Sequence, residues 1–221
     1  MLRHLCTSSN LSCMISCVLF DFGGVVIESP FIAFEKFEVE RGLPAGFLRT
    51  VNAINPNDNA WAKLERSDIT IEEFDALFAS ESERLGYLVR GGEVLGLLFG
   101  AVRPRMRHVL DLLPRLGFRI VCLTNNVVTD DDMREDIADA MTCFERVYES
   151  SAMGSRKPEP EFYRAVLDDL GVEPAEAVFL DDLGINLKPA KAMGITTIKV
   201  TDEIQAIREL GDVVGVDLLG Y

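Results

Sequence analysis

The alternation of strand-like and helix-like segments over the second half of the chain constrains the fold more than any other feature. Apolar runs with the length of buried strands occur at 118–124, 146–150, 177–182 and 195–200. The helix-like segments between and after them are 129–141, 158–171, 186–194 and 202–211. Strands that alternate with helices are typically parallel and joined by right-handed crossovers. The pattern therefore predicts an α/β fold built on a parallel sheet.

The first half of the chain contributes one strand and then a long helical stretch. The apolar run Cys17–Phe22 belongs in the same sheet by its composition. Every segment from about Pro30 to Val102 is typical of helix, and Thr70 with Glu73 forms a capping box for one of these helices. A helix at 104–116 then returns to the core. We expect a Rossmann-like sheet with helices on both faces, formed by residues 1–29 and 103–221, and an all-helical cap at 30–102 inserted after the first strand.

Composition narrows the range of partners. The chain has 221 residues, of which 48% are hydrophobic and 26% charged, as in an ordinary soluble globular protein. Its formal net charge of −14 should repel nucleic acid and anionic membranes. No apolar run reaches the roughly 20 residues of a membrane span. We therefore expect a small-molecule partner and no nucleic acid, and the oligomeric state is left open, with a homodimer among the alternatives.

Cysteine and histidine usage points to a reducing compartment and away from two common kinds of site. The five cysteines are odd in number and form no CxxC pair, so buried thiols are favoured over disulfides or a metal site. This favours the cytoplasm. The two histidines nearly exclude His-based triads and His-rich metal sites. Residues 1–13 are faintly like a transit peptide, but a disordered extension before an alternative start at Met14 is the favoured interpretation.

Polar residues follow the predicted strands at the edge of the sheet where ligands of open α/β folds bind. They are Asp21, the run Thr124–Asn126, Lys157 in the loop after the third strand, and the pair Asp181 and Asp182. Carboxylates that converge at strand ends repel one another unless a hard cation lies among them, and Mg²⁺ with oxygen ligands fits. An ammonium, a hydroxyl and amide donors facing that cation suit a phosphate dianion.

This constellation suggests a covalent mechanism. A phosphoryl group whose charge is screened by Mg²⁺ and Lys157 would allow the carboxylate of Asp21 to attack phosphorus in line. The alcohol would be expelled, and water would hydrolyse the resulting aspartyl-phosphate. Gly23 and Gly24 would let the backbone approach the metal and the phosphate closely.

The four motifs, in this order, resemble those of the haloacid dehalogenase superfamily. The resemblance covers nearly the whole chain, including a helical cap inserted after the first motif. The segments RKPEPEFY and VFLDDLGINLKPAKAMGITTIKV are especially similar to the N-terminal phosphatase domain of soluble epoxide hydrolases and to the related domain of acyl-CoA dehydrogenase fusions. Because the sequence ends at Tyr221, we expect no epoxide hydrolase or dehydrogenase domain to follow.

The resemblance implies a role for each motif residue. Asp21 would be the nucleophile and a Mg²⁺ ligand, and Lys157 would neutralise the phosphate as the second catalytic residue. The remaining roles are the backbone carbonyl of Gly23 and the carboxylate of Asp182 as metal ligands, Thr124 and Asn125 as phosphate-binding groups, and Asp181 and Asn186 as supporting groups. Asn186 could also act as the N-cap of the helix that follows. The acid run 130–132 is interpreted as a helix cap with first-turn charges rather than a metal site.

Position 23 departs from the superfamily pattern. Phosphatases of this group usually carry an aspartate there, which protonates the leaving group and then activates water, whereas this chain has Gly23. General acid–base help is worth roughly 10²–10⁴-fold, so phosphates with good leaving groups should suffer least from its absence.

Three functions compete. The favoured one is a Mg²⁺-dependent phosphatase that acts on a small phosphorylated metabolite or lipid. A metal-independent dehalogenase using Asp21 would need no acid at position 23, but the pair Asp181 and Asp182 argues against it. A catalytically weakened relative that only binds phosphate or a partner is disfavoured because the other motif residues are intact.

Overall fold

The computed structural model describes residues 14–127 and 134–221. The strands are β1 (Cys17–Phe20), β2 (Arg119–Thr124), β3 (Arg146–Glu149), β4 (Ala177–Asp181) and β5 (Thr196–Lys199). The helices are α1 (Pro30–Arg41), α2 (Phe47–Ala53), α3 (Ala60–Glu65), α4 (Ile71–Glu83), α5 (Gly91–Leu95), α6 (Pro104–Arg115), α7 (Glu135–Met141), α8 (Ser150–Met153), α9 (Pro160–Leu170), α10 (Gly184–Ala192) and α11 (Glu203–Val214). The predictions for residues 1–13 and for the acid run 130–132 lie outside the described residues.

The strands form one sheet in the order β3-β2-β1-β4-β5, and every neighbouring pair is parallel. This confirms the predicted parallel α/β sheet. In the register of the three central strands, Phe20 lies opposite Cys122 on one side and Leu180 on the other. The residues that follow these positions therefore emerge together at the carboxyl edge of the sheet.

Helices cover both faces of the sheet because alternate strand side chains point to opposite sides. On one face, Val18 and Phe20 belong to a buried cluster with residues of α6 and α11, such as Leu110 and Ile207. On the other face, Cys17, Leu19 and their strand neighbours pack with residues of α9 and α10, including Phe162, Val166, Leu187 and Ala190. The two clusters hold the carboxyl edge in place from both sides.

The chain between β1 and α6 forms α1–α5, and we call residues 30–102 the helical segment. It has a buried cluster of its own, centred on Leu48, Trp61, Phe74 and Phe78. The predicted capping box of α4 is present, since Glu73 N donates to Thr70 Oγ1 at 3.2 Å and Thr70 N donates to Glu73 Oε2 at 2.9 Å. Ile27, just before the helical segment, and Val102, at its end, form an antiparallel bridge. The chain therefore enters and leaves the helical segment at neighbouring points.

Several element boundaries differ from the sequence predictions. α9 begins at Pro160 rather than at residue 158, and α11 ends at Val214 rather than at residue 211. α10 begins at Gly184, so Asn186 lies inside the first turn and the prediction that it caps this helix was wrong. Leu183 occupies the N-cap position, and the side-chain amide of Asn186 donates to the Asp181 carboxylate instead of accepting from the N–H groups of its own helix.

Two of the three described cysteines agree with the prediction of buried thiols, and the other two cysteines of the chain lie outside the described residues. Cys17 and Cys122 are buried free thiols in the sheet, and Cys143 is a partly exposed free thiol. Burial raises the pKa of Cys17 to about 11, so this thiol stays protonated at neutral pH. Over residues 14–127 and 134–221, no helix combines the length and apolar character that crossing a bilayer requires.

Candidate active site

Three carboxylates meet at the carboxyl edge of the sheet. Asp21 follows β1, Asp181 is the last residue of β4, and Asp182 comes next. Each offers an oxygen, and these three oxygens lie within 4.8 Å of one another. The sequence predicted this meeting because these residues follow strands whose carboxyl ends share one edge of the sheet. The register explains it, since β1 and β4 are direct neighbours. We call Asp21, Asp181, Asp182 and Lys157 the strand-end cluster.

Lys157 brings the positive charge of this cluster from the loop between α8 and α9. Its Nζ lies 2.8 Å from Asp21 Oδ1 and 3.0 Å from Asp181 Oδ2, and the side chain is only 1% exposed. Burial alone would lower the pKa of Lys157, but the charges of Asp181 and Asp21 outweigh it and raise this pKa above its usual value. The side chain is therefore a permanent ammonium at neutral pH.

Asp181 is fixed by hydrogen bonds on both of its oxygens. Oδ1 accepts from Leu183 N at 2.7 Å, and the amide of Asn186 donates to Oδ1 at 3.1 Å and to Oδ2 at 3.0 Å. The carbonyl of Asn186 in turn accepts from Tyr163 Oη at 2.7 Å, which ties the first turn of α10 to α9. Asp181 is thereby held in the position in which it contacts Lys157, as a supporting group would be.

Asp182 is partly buried beside the glycine turn after β1. Burial and the neighbouring charge of Asp181 raise the pKa of Asp182 to about 6, although Lys157 and Arg103 act in the opposite direction. Gly24 has φ +75° and lies so close that a Cβ there would overlap the Asp182 carboxylate. The turn thus requires glycine at position 24 for two reasons, its left-handed conformation and the approach of Asp182.

The strand-end cluster suits a hard divalent cation. Three carboxylates face a single ammonium, so ionised side chains leave an excess of negative charge in a largely buried place. Burial also raises the pKa of Asp21, while the positive charge of Lys157 acts in the opposite direction. Oxygen ligands with excess negative charge are the donors that Mg²⁺ prefers.

The polar residues after β2 differ in what their side chains do. Thr124 ends the strand and is buried. The side chain of Asn125 is engaged within the protein, since its Oδ1 accepts from Lys157 N at 2.9 Å and its Nδ2 donates to Lys157 O at 2.9 Å and to Glu65 Oε2 at 3.2 Å. That Thr124 and Asn125 bind phosphate stays a prediction. The contacts of Asn125 show that its amide holds the loop of Lys157.

Gly23 faces open space. A Cβ at this position would have no heavy atom within 4 Å, and its φ lies outside the left-handed region. Position 23 therefore has room for a Cβ atom, whereas position 24 does not. The absence of an acid after Asp21 follows from the sequence and not from a lack of room.

Sequence analysis missed three charged residues near this edge. Arg103, at the start of α6, acts through its positive charge to lower the pKa of Asp182. Glu65, at the end of α3, forms an ion pair with Arg156, next to Lys157. Arg156 is part of the motif RKPEP, but the spacing of this motif does not indicate that the partner of Arg156 lies in the helical segment, 91 residues away.

A protein-family model matches most of the chain. The model of haloacid dehalogenase-like hydrolases matches residues 15–194. The bifunctional epoxide hydrolase 2 of Mus musculus is 34% identical over 212 residues, which cover 89% of this chain and 38% of that protein. The chain thus spans well under half the length of this relative. The sesquiterpene phosphatase astK of Aspergillus oryzae is 29% identical over 164 residues, which cover 72% of this chain and 81% of that protein.

A similar solved structure carries the ligands that the sequence analysis expected. It is a haloacid dehalogenase family enzyme from Bacteroides thetaiotaomicron in complex with magnesium and inorganic phosphate. The TM-score is 0.57 and the identity 26%, over 84% of this chain and 93% of that chain.

Proposed function

Because the chain belongs to the haloacid dehalogenase-like hydrolase family, we propose that this hydrolase is a Mg²⁺-dependent phosphatase. Its substrate would be a small phosphorylated metabolite or lipid. The observation that carries the proposal is the position of Asp182, which lies beside Asp21 against a glycine turn shaped around its carboxylate. A second acid held next to the nucleophile has a purpose if a cation bridges them. The magnesium and phosphate of the Bacteroides relative support the same chemistry.

Each residue of the cluster has a role in this proposal. Asp21, the carboxylate of Asp182 and the backbone carbonyl of Gly23 would hold Mg²⁺, which supplies charge neutralisation for the phosphoryl group. Lys157, whose Nζ lies 2.8 Å from Asp21 Oδ1, would neutralise the charge of a phosphate oxygen. Asp181 and Asn186 would keep Lys157 directed toward that point, and Thr124 would donate its hydroxyl to the phosphate.

The reaction would proceed in two displacements at phosphorus. A carboxylate oxygen of Asp21 forms a bond to phosphorus while the bond to the leaving oxygen breaks, and the electron pair goes to that oxygen. Water then attacks the aspartyl-phosphate, which releases inorganic phosphate and regenerates the free carboxylate of Asp21. Because Gly23 offers no acid, no side chain at this position protonates the leaving group, and good leaving groups are favoured.

The helical segment would serve as the cap domain of this enzyme, with residues 1–29 and 103–221 as the catalytic core. The supporting observations are its separate buried cluster and the paired connections near Ile27 and Val102. In this arrangement, substrate choice would depend on the side chains that the cap presents to the strand-end cluster. We keep a cytoplasmic location and a homodimer as predictions.

The experiment that tests the proposal is a screen of phosphorylated metabolites with Mg²⁺ present, in parallel with a chelator. We expect hydrolysis of a subset of phosphate esters, with aryl, acyl and anomeric phosphates ahead of alkyl phosphates. Turnover of a 2-haloacid at full rate in excess chelator, with no phosphate released from any ester, would support the dehalogenase alternative instead.

A further inference from the structure

A second group of charged residues joins the helical segment to the loop that carries Lys157. Arg156 Nε forms an ion pair with Glu65 Oε2, and these side chains are 14% and 15% exposed. Arg66 Nη1 lies 2.9 Å from Glu159 Oε1. We call these four residues the junction. Glu65 and Arg66 are neighbours at the end of α3, while Arg156 and Glu159 flank Lys157.

The two ion pairs of the junction differ in what they contact next. Glu65 Oε2 also accepts from Asn125 Nδ2 at 3.2 Å, and the same Asn125 amide holds both Lys157 N and Lys157 O. Arg66 instead contacts Asp68 and the carbonyl of Asn57, both within the helical segment. The pair of Arg66 reaches the loop at a different point, since Glu159 Oε2 accepts from Arg156 N at 3.1 Å. Among the described residues, the pair of Glu65 is the one that contacts the Asn125 amide holding the main chain of Lys157.

The position of Lys157 requires this support. Its Nζ sits between Asp21 and Asp181 at hydrogen-bond distance from both, and a small shift of the main chain would break one contact or both. The loop between α8 and α9 has few regular hydrogen bonds, so its geometry depends on side chains such as those of Asn125 and Glu159. Glu65 reaches this loop from a helix that contributes nothing to the sheet.

We propose that Glu65 is a positioning residue for the reaction. Through Arg156 and Asn125 it fixes the main chain of Lys157, so that the ammonium meets the phosphoryl group only when α3 is docked on the loop. The proposal concerns the same site and rests on the proposed phosphatase function for its kinetic part. Arg66, one residue further along the chain, docks the same helix without contact to Asn125 and provides a matched control.

The test compares Glu65→Gln with Arg66→Gln. Each variant removes one charge from one ion pair. Glu65→Gln keeps the size of the side chain, whereas Arg66→Gln also shortens it, so the control is the more severe change. Glu65→Gln should lower kcat/KM by about tenfold, equally for an aryl and an acyl phosphate, because the defect lies at the phosphate and not at the leaving group. Arg66→Gln should change kcat/KM by less than about twofold. Melting temperatures of both variants show whether either one fails to fold.

Hydrogen exchange provides a measurement that does not depend on activity. The Lys157 amide should exchange about threefold faster or more in Glu65→Gln, and at the wild-type rate in Arg66→Gln. Should the wild type hydrolyse no phosphate ester, the proposed function fails, and this exchange result alone decides whether Glu65 fixes the loop. Equal exchange and equal activity in the two variants would overturn the proposal.

A double-mutant cycle separates positioning from simple loss of stability. Arg156→Gln should cost about as much kcat/KM as Glu65→Gln, and the double variant should cost no more than about twofold beyond either, because the residues act as a unit. If the losses multiply instead, Glu65 and Arg156 act independently and the coupling to Lys157 is absent.

Discussion

The strand-end cluster and the junction are both groups of opposite charges near Lys157, and they are built in opposite ways. In the strand-end cluster, three carboxylates surround one ammonium that is 1% exposed. In the junction, each of the two carboxylates pairs with one guanidinium across the boundary between the helical segment and the loop. The four side chains are between 14% and 29% exposed. The strand-end cluster therefore has an excess of negative charge, whereas the charges of the two ion pairs in the junction are balanced.

This difference teaches where a ligand is expected. Buried charge of one sign is costly, and its excess in the strand-end cluster would be relieved by the cation that we propose. The junction is balanced and partly solvated, so it needs no ligand and contributes only modest stability. We interpret the strand-end cluster as the catalytic group and the junction as the group that positions Lys157.

The largest effect should come from removing the cation. Activity should vanish in excess chelator, and Asp182→Ala should raise the Mg²⁺ concentration needed for half-maximal rate by about tenfold or more, since one of its few ligands is gone. Glu65→Gln should leave that concentration unchanged, because the junction holds no metal. Titrations of Mg²⁺ against rate for the three proteins make this comparison. An equal shift in both variants would mean that the two groups are not separate.

The next effect concerns the proton. Gly23→Asp places a carboxylate in open space beside the cluster, where its Cβ meets no atom within 4 Å. We expect a gain on alkyl phosphates at the lower end of the roughly 10²–10⁴-fold range for general acid–base help, and little gain on aryl phosphates.

The measurement is the dependence of the rate on leaving-group pKa in both enzymes. The wild type should show a steep slope and the variant a flatter one. A shallow slope already present in the wild type would mean that another group or a water delivers the proton.

Adjacent glycines offer a smaller and sharper test of the geometry. Gly24→Ala should force Asp182 aside and strain the backbone at φ +75°, at a cost of about 1–3 kcal/mol in the free energy of unfolding. Gly23→Ala should be nearly neutral, because its site is open and its φ ordinary. Denaturant unfolding of both variants provides the values. Equal destabilisation would show that the approach of Asp182 to the turn is not tight.

Much of this molecule follows from its sequence, for identifiable reasons. The parallel sheet was predictable because its strands are apolar runs separated by helices, and the meeting of Asp21 with Asp181 follows from strand ends alone. The role of Asn186 as a cap was predicted wrongly, because the local pattern competes with a tertiary hydrogen bond to Asp181.

The junction was beyond sequence analysis. Glu65 and Arg156 are 91 residues apart, and each alone resembles an ordinary charged surface residue. Their pairing depends on how the helical segment docks on the core, which periodicity and capping do not encode. The engagement of Asn125 with the main chain of Lys157 is likewise a tertiary contact that the sequence pattern does not encode, and phosphate binding by Asn125 stays a prediction.

The central claim is that Asp21 is the nucleophile, and the most direct measurement is covalent trapping. Wild-type enzyme is mixed with a phosphate ester labelled at phosphorus, quenched with acid within one turnover, and digested. The covalent mechanism predicts label on the peptide that contains Asp21, released by hydroxylamine as expected of an acyl phosphate. Asp21→Asn should retain its fold, carry no label and keep less than a few per cent of the rate, roughly as when a nucleophile is removed. Substantial turnover by Asp21→Asn, or unlabelled wild-type enzyme during rapid turnover, would contradict the account.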